Sequence, residues 1–235
     1  LSGSGEPTLH SHFGKVIDFI HSRTTIPVLL LTNSSLLRLA GVRHAAARAD
    51  IVKVSLSAWD QRSFERVNRP CGNISFKRFV DGIKAFRSEF KGQLVMEVFL
   101  IPGLNADAEA AGRIARLAAT IRPDRIHLNT TVRPPADRSV RPVSFARMKS
   151  LSRLFQPAAE LTTALNGRSG RIDSADDDEI LGLLGRHPCT VDQVRKAFNM
   201  PGRAAAERIA SLLRHGRIAK QRVGKDVFFT THERP

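Results

Sequence analysis

The sequence predicts an α/β protein in which strand–helix units build a parallel sheet, followed by a small domain of three helices and a β-hairpin. Three observations carry this. Apolar runs of strand length alternate with amphipathic helical stripes at about 25 to 45 residues per unit, the spacing of right-handed crossovers. Each strand end is polar: Gly5-Glu6, Thr32-Asn33, Ser55, Gly103-Leu104-Asn105 and Asn129-Thr130. Ligands of parallel sheets sit at such carboxyl ends. The last 60 or so residues change character, with short helical stripes and one two-residue turn signal.

Composition bounds the function. The chain has 235 residues and a formal net charge of +15. Residues 1–170 hold 25 Lys and Arg against 13 Asp and Glu, and the remainder holds 12 against 9. Such a surplus steers polyanions toward the protein, so nucleic acid is a candidate partner. Cys71 and Cys189 lie far apart and form no CxxC or Cys/His cluster, so no metal site is expected. No signal peptide or membrane-spanning run is visible, which points to a soluble, cytoplasmic protein without a membrane partner. The sequence opens at Leu1 in what reads as the end of a strand, and a missing upstream segment is expected.

Leu1 to His10, with two glycines, a carboxylate and a proline, reads as a tight turn after a strand. Gly has no Cβ to block a ligand, and the same residues also suit a plain loop. A helix over residues 10–22 carries Phe13, Val16, Ile17 and Ile20 on one stripe. Ile26 to Thr32 is a continuous apolar run suited to a strand covered on both faces. Ser34 or Ser35 is placed to cap a helix carrying Leu36, Leu37 and Ala40. Ile51 to Leu56 alternates, sending Lys53 and Ser55 to one face and Val52 and Val54 to the other.

A short helix through Phe64 and Val67 follows, then the turn Asn68-Arg69-Pro70 and a longer helix with Phe76, Phe79, Val80, Ile83, Phe86 and Phe90 on its core stripe. Leu94 to Ile101 is a buried strand containing one acid, Glu97. An unpaired carboxylate there would cost several kcal/mol, so a cation, a ligand or water must meet it, and Lys53 is the natural partner on a neighbouring strand. Asn105 opens a helix through Ile121. Arg125 to Asn129 alternates strictly, which suits either the wet interior of a barrel or an edge strand facing solvent. Thr131 to Arg153 is rich in Arg and Pro, including Arg133 and Arg138, and reads as a loop over the barrel mouth or a solvated linker. The domains are therefore 1–153, a linker over 154–172, and 173–235.

The tail gives helices over 177–185, 190–198 and 203–215, with Thr190 and Gln193 forming a capping box. Residues 218–223 and 227–231 flank Gly224-Lys225 as a hairpin. This pattern resembles a winged-helix domain, whose third helix would carry Arg203, Arg208 and Arg214 toward phosphates. Many such domains bind only protein. Cys189 reads as a buried apolar side chain.

Gly3 to Leu9, Leu31-Thr32-Asn33, Val52 to Leu56, Glu97 to Gly103 and His127 to Thr130, in that order, resemble strands two to six of a radical S-adenosylmethionine (SAM) enzyme. Asn68-Arg69-Pro70 and the Glu97 to Gly103 run are similar to a wyosine-synthase-related branch. The resemblance covers residues 1 to about 150 and implies a partial (β/α)6 barrel holding SAM across its strand tops. It implies that Ser4, Gly5 and Glu6 stand where the family's Gly-Gly-Glu motif meets the methionine amino group, with Ser4 replacing the first glycine. It places Ser55 and Lys53 near the ribose, Ile101 and Gly103 at the adenine, Asn129 beside them, and Asn33 and Glu97 around the same cavity.

The resemblance also implies a [4Fe-4S] cluster on a CxxxCxxC loop, a reductant protein, and reductive cleavage of SAM to a 5′-deoxyadenosyl radical. This sequence has no such loop, so a cluster is expected only in a longer chain, and this chain alone is expected to be inactive. The competing expectation is a noncatalytic nucleic-acid-binding or regulatory protein on a degenerate barrel.

Overall fold

Leu30, Val52, Val54, Leu94, Met96, Val98, Leu100, Ile126 and Leu128 have lost all contact with solvent, and all nine come from one face of one sheet. Burying each such side chain is worth about 1.5–3 kcal/mol, which commits these alternating segments to strands with their apolar side under helices. The computed structural model describes residues 1–2, 5–72, 74–131, 141–162, 176–198, 200–223 and 225–231. The chain divides into two units, Leu1–Thr130 with Arg141–Thr162, and Thr131–Val140 with Thr163–Pro235.

The first unit holds a five-stranded parallel sheet in simple sequential order: β1 (Leu29–Thr32), β2 (Ile51–Ser55), β3 (Gln93–Leu100), β4 (Arg125–Thr130) and β5 (Glu160–Leu161). Leu1 continues the pattern at the β1 edge. Its amino group donates to Leu29 O and its carbonyl accepts from Leu31 N at 3.0 Å, the bonding of a parallel neighbour. Between the strands lie α1 (Phe13–Arg23), α2 (Ala40–Ala46), α3 (Gln61–Asn68), α4 (Phe76–Glu89), α5 (Ala108–Ile121) and α6 (Phe145–Ser152). The phenylalanines of α4 pack as expected: Phe79 and Phe86 are almost fully buried, and Phe64 stands 4.9 Å from Phe79 between ring centres.

Carboxylates brace the amino ends of the sheet. Asp50, just before β2, accepts the Val28 N–H at 2.7 Å and His21 Nε2 at 2.8 Å. Asp124, just before β4, accepts the Leu94 N–H at 2.7 Å and is also held by Arg87.

Four expectations need correction. Ser34 caps no helix: it is buried with φ +70, its hydroxyl accepts the Ser55 N–H at 3.0 Å, and α2 begins only after Leu39. Asn105 does not open α5, which Asp107 caps by accepting the Ala110 N–H. The Asn105 amide instead donates to Ser57 O and Phe99 O and accepts from Ile101 N. The basic segment 131–153 is not all loop, because residues 145–152 form α6 under a Ser144 cap. The linker expected over 154–172 starts too early, since Glu160 and Leu161 pair with His127 and Leu128. A two-residue strand with one charged member carries no periodicity to read. Residues 132–140 and 163–175, with Arg133 and Arg138, lie outside the described residues, as does Ser4.

The second unit contains α7 (Asp177–Arg186), α8 (Val191–Ala197), α9 (Gly202–Arg214) and the antiparallel pair β6 (Ile218–Val223) and β7 (Asp226–Thr231). Asp176 with Glu179 and Thr190 with Gln193 close capping boxes. Its core joins Ile180, Leu184, Val194, Ile209, Leu212 and Phe229, with Cys189 buried among them. Two of the three α9 arginines are engaged: Arg203 binds Glu207 and Arg208 binds Asp177, each at 2.8 Å.

Candidate functional site

Sheet parity decides which side chains can meet a ligand. Even-numbered residues of β2 and β4 face the helices, while Lys53, Ser55, His127 and Asn129 stand half-buried on the other face, together with Glu97 and Phe99 of β3. Register lines Ser55, Glu97, His127 and Glu160 up as one row across four strands. That face is therefore a polar floor made from alternating strands.

At the carboxyl ends of β1 and β2 and beside Glu97 lies a cleft of about 260 Å³, lined by Ser2, Gly5, Glu6, Pro7, Leu31, Thr32, Asn33, Lys53, Ser55 and Glu97. The structure thus brings together Gly5, Glu6, Asn33, Lys53, Ser55 and Glu97. Ile101, Gly103 and Asn129 do not line this cleft. Asn129 shares the floor, paired in register with Phe99, and its Oδ1 accepts the Thr130 N–H. Ile101 follows β3, its N–H tied to Asn105 Oδ1 at 2.7 Å. Gly103 has φ +75 with open space where a Cβ would stand, so the turn itself demands glycine.

Glu6 is a brace as well as a lining residue. Its Oε1 accepts the Thr8 N–H at 3.1 Å, the Thr8 hydroxyl at 2.6 Å and the Thr32 hydroxyl at 2.6 Å, and its Oε2 accepts the Asn33 N–H at 2.6 Å. These four donors clamp the Gly5–Leu9 segment onto the end of β1, and all four are neutral. Lys53 Nζ lies 3.4 Å from Glu97 Oε1, the pairing the sequence suggested, so those two charges offset each other. The cleft keeps one uncompensated carboxylate in a strongly cationic chain, a setting that favours a bound cation. At Gly5 a Cβ would meet nothing within 4 Å, so its backbone lies open to whatever enters.

The floor beyond carries a signal that sequence reading passed over. Among the described residues, both ring nitrogens of His127 are buried without a hydrogen-bond partner, although Glu160 Oε2 lies 3.9 Å from Nε2. Burial pushes its pKa down, Lys53 and Arg125 act in the same direction, and Glu160 and Glu97 oppose them. Glu160 is held below its ordinary value chiefly by hydrogen bonds from Arg125. A buried imidazole with both nitrogens unmet among the described residues asks for a further polar partner. Among the described residues, no group of three or more His, Cys, Asp or Glu gathers as a metal site, and no helix is long and apolar enough to cross a membrane.

Comparison with known proteins identifies similar sequences and a similar fold. Residues 1–114 match the Radical SAM superfamily. A UPF0026 protein of Helicobacter pylori strain J99 is 30% identical over 231 residues, spanning 97% of this chain and 73% of that protein. The chain belongs to the UPF0026 family. A Brachyspira hyodysenteriae protein described as GTPase Obg is 29% identical over 225 residues; this UPF0026 chain spans 33% of its length. A domain of pyruvate-formate lyase-activating enzyme from Bacteroides vulgatus superposes with a TM-score of 0.55 at 17% identity, over 69% of the UPF0026 chain and 97% of that domain. The two chains share a parallel α/β sheet.

The donor set fits SAM and does not fit an iron–sulfur cluster. An open glycine backbone, an uncompensated carboxylate, and hydroxyl and amide groups at strand ends suit a small zwitterionic cation. A [4Fe-4S] cluster on a CxxxCxxC loop needs three closely spaced thiolates. This UPF0026 sequence has two cysteines, Cys71 exposed in the first unit and Cys189 buried in the second.

Proposed function

We propose that this chain is the SAM-binding and substrate-facing portion of a radical SAM enzyme, with the cleft at the ends of β1 and β2 as the cofactor site. One observation carries the reading: the Gly5–Pro7 backbone is clamped by Glu6 so that it faces Asn33, Lys53, Ser55 and Glu97 across one cleft. When bound, SAM would supply a carbon–sulfur bond for reductive cleavage. No step through a cluster is assigned to these residues.

The chain's own groups have separable tasks. The Gly5 backbone takes the cofactor's amino group, and the Glu6 carboxylate, saturated by neutral donors, acts through its field on the ammonium and sulfonium charges. Ser55 Oγ, only loosely engaged with Thr32 O at 3.4 Å, is free to turn to the ribose. Lys53 keeps Glu97 from presenting a second bare carboxylate. Backbone near Ile101 and Asn129 receives the adenine, and His127 holds a polar atom of the substrate over the floor.

Under the same proposal the cluster-binding thiolates and the reductant's docking surface come from a longer protein. The second unit acts as a winged helix that recruits substrate or partner, and the sequence likeness to a wyosine-synthase-related branch is the guide to the class of chemistry.

Calorimetric titration of SAM into the chain tests the site. A Cβ at Gly5 meets nothing within 4 Å, so the Gly5→Val side chain is directed at an incoming ligand. Gly5→Val is expected to weaken SAM binding more than Lys53→Ala does. The reverse ranking, or no binding to the unaltered chain, removes the assignment.

A further inference from the structure

The positive surplus of residues 1–170 is not absorbed by the cofactor cleft, whose lining is net negative. Arg38, Arg43 and Arg78 belong to the helical side of the first unit. There a second cleft of about 390 Å³ opens between α2, α4 and the turn before α2, lined by Arg38, Arg43, Arg78, Asp81, Gly82 and Ala85.

Three guanidinium groups from three separate segments face this hollow. Arg43 is fixed in place, its Nε on Glu89 Oε1 at 2.8 Å and its Nη1 on Leu37 O at 3.0 Å, with its side chain mostly buried. Arg38 and Arg78, both exposed, have no acidic or carbonyl partner for their side chains among the described residues. Asp81, the one acid in the lining, is already tied to Lys77 Nζ at 2.8 Å. Gly82 sets how closely the two backbones approach. A Cβ there would stand 2.6 Å from Arg38 N, so only glycine lets α4 press against the Leu37–Arg38 backbone.

We infer that this cleft is a binding site for a phosphate-class oxyanion, gripped by Arg38 and Arg78 and backed by Arg43. Guanidinium groups present planar paired donors that match two oxygens of a phosphate, and two unengaged ones converging beside a fixed third form a complementary cradle. The anion is either a free phosphate or the phosphodiester backbone of a nucleic acid, and both offer the same oxygens. The inference is independent of SAM binding, since the site lies on the opposite face of the sheet.

The test uses the full chain with two probes: pyrophosphate by calorimetry, and a short fluorescein-labelled oligouridine by anisotropy. Arg38→Ala with Arg78→Ala should weaken pyrophosphate binding about tenfold or more, and Arg38→Lys with Arg78→Lys should weaken it less, because charge survives and the fork does not. Loss of RNA affinity in the same alanine variant, with the salt slope reduced by about 1.4 for two contacts to a single strand, identifies a nucleic-acid backbone. Unchanged RNA affinity beside lost pyrophosphate affinity identifies a free phosphate. Absence of pyrophosphate binding overturns the inference. So does an alanine variant as tight as the unaltered chain, or an equal loss in a control pair, Lys220→Ala with Arg222→Ala, on β6.

Discussion

Replacing Glu6 by Gln separates a brace from a bare ligand group. The carboxylate receives three donors on Oε1, from Thr8 N, Thr8 Oγ1 and Thr32 Oγ1, and one on Oε2, from Asn33 N at 2.6 Å. An amide has a single acceptor oxygen. If that oxygen keeps the three donors, its NH₂ faces the Asn33 N–H; if it turns over, the NH₂ faces the Thr8 N–H. One backbone donor loses its acceptor either way. Hydrogen bonds to charged groups are worth about 1.5–3 kcal/mol, and Asn33 is open enough for water to compensate in part, so the lower figure applies. At about 2–4 °C per kcal/mol for a unit of this size, the apo melting temperature should fall by about 3–6 °C. Circular dichroism reads the melt, and hydrogen exchange at the Asn33 amide gives a local readout that should speed up in the variant. An unchanged melt and unchanged Asn33 protection, with SAM affinity lost, would refute the bracing account and leave Glu6 as a free ligand group.

Other outcomes follow from the same geometry. The His127 ring, followed by proton NMR, should titrate below its ordinary value of 6.5, because burial and Lys53 disfavour its cation. Stability that His127 contributes is then complete above pH 6.5 and lost as pH falls through the lower folded value; a midpoint at or above 6.5 contradicts this. Asp50 is held below its ordinary value of 3.8 by the Val28 N–H first and His21 second, so its contribution persists above pH 3.8 and disappears as pH falls below it. Asp50→Asn should lower stability at neutral pH and flatten the acid limb of a urea-unfolding series, and an unchanged limb counts against the brace. Gly82→Ala gains about 1 kcal/mol of helix propensity but overpacks against backbone at a cost of about 1–3 kcal/mol. The rigid neighbour puts the cost at the top of that range, so denaturant melts should show a net loss of about 1–2 kcal/mol, and a gain would refute the contact.

Much of the first unit was legible because the physics of a covered parallel strand is simple. Val52 and Val54 had to face helices, which sent Lys53 and Ser55 to the other side, and the single acid of the next strand then needed Lys53. The same reasoning could not reach β5, whose two residues acquire their strand geometry only by pairing with β4. Ser34 was misplaced because a serine before an apolar run ordinarily caps a helix, and only the folded sheet reveals that its hydroxyl bridges to β2. Arg203 and Arg208 of α9 looked available because sequence shows charge but not partners; Asp177 lies 31 residues before the Arg208 it binds. Cleft membership was readable for residues next to strand ends in sequence. The orphaned nitrogens of His127 depend on what four separate strands leave unfilled.

The carboxylates of Asp50 and Asp124 give the first unit a stiff base. Each reaches across to the amide at or just before the start of the adjoining strand, so motion at that end must break charged contacts as well as the ladder. At the opposite end the ties are local to each strand top, from Glu6 to Thr32 and Asn33 and from Asn105 to Ser57 and Phe99. The two rims are thus held by different devices, and a loop exchanged at the upper one leaves the carboxylates of the lower one in place.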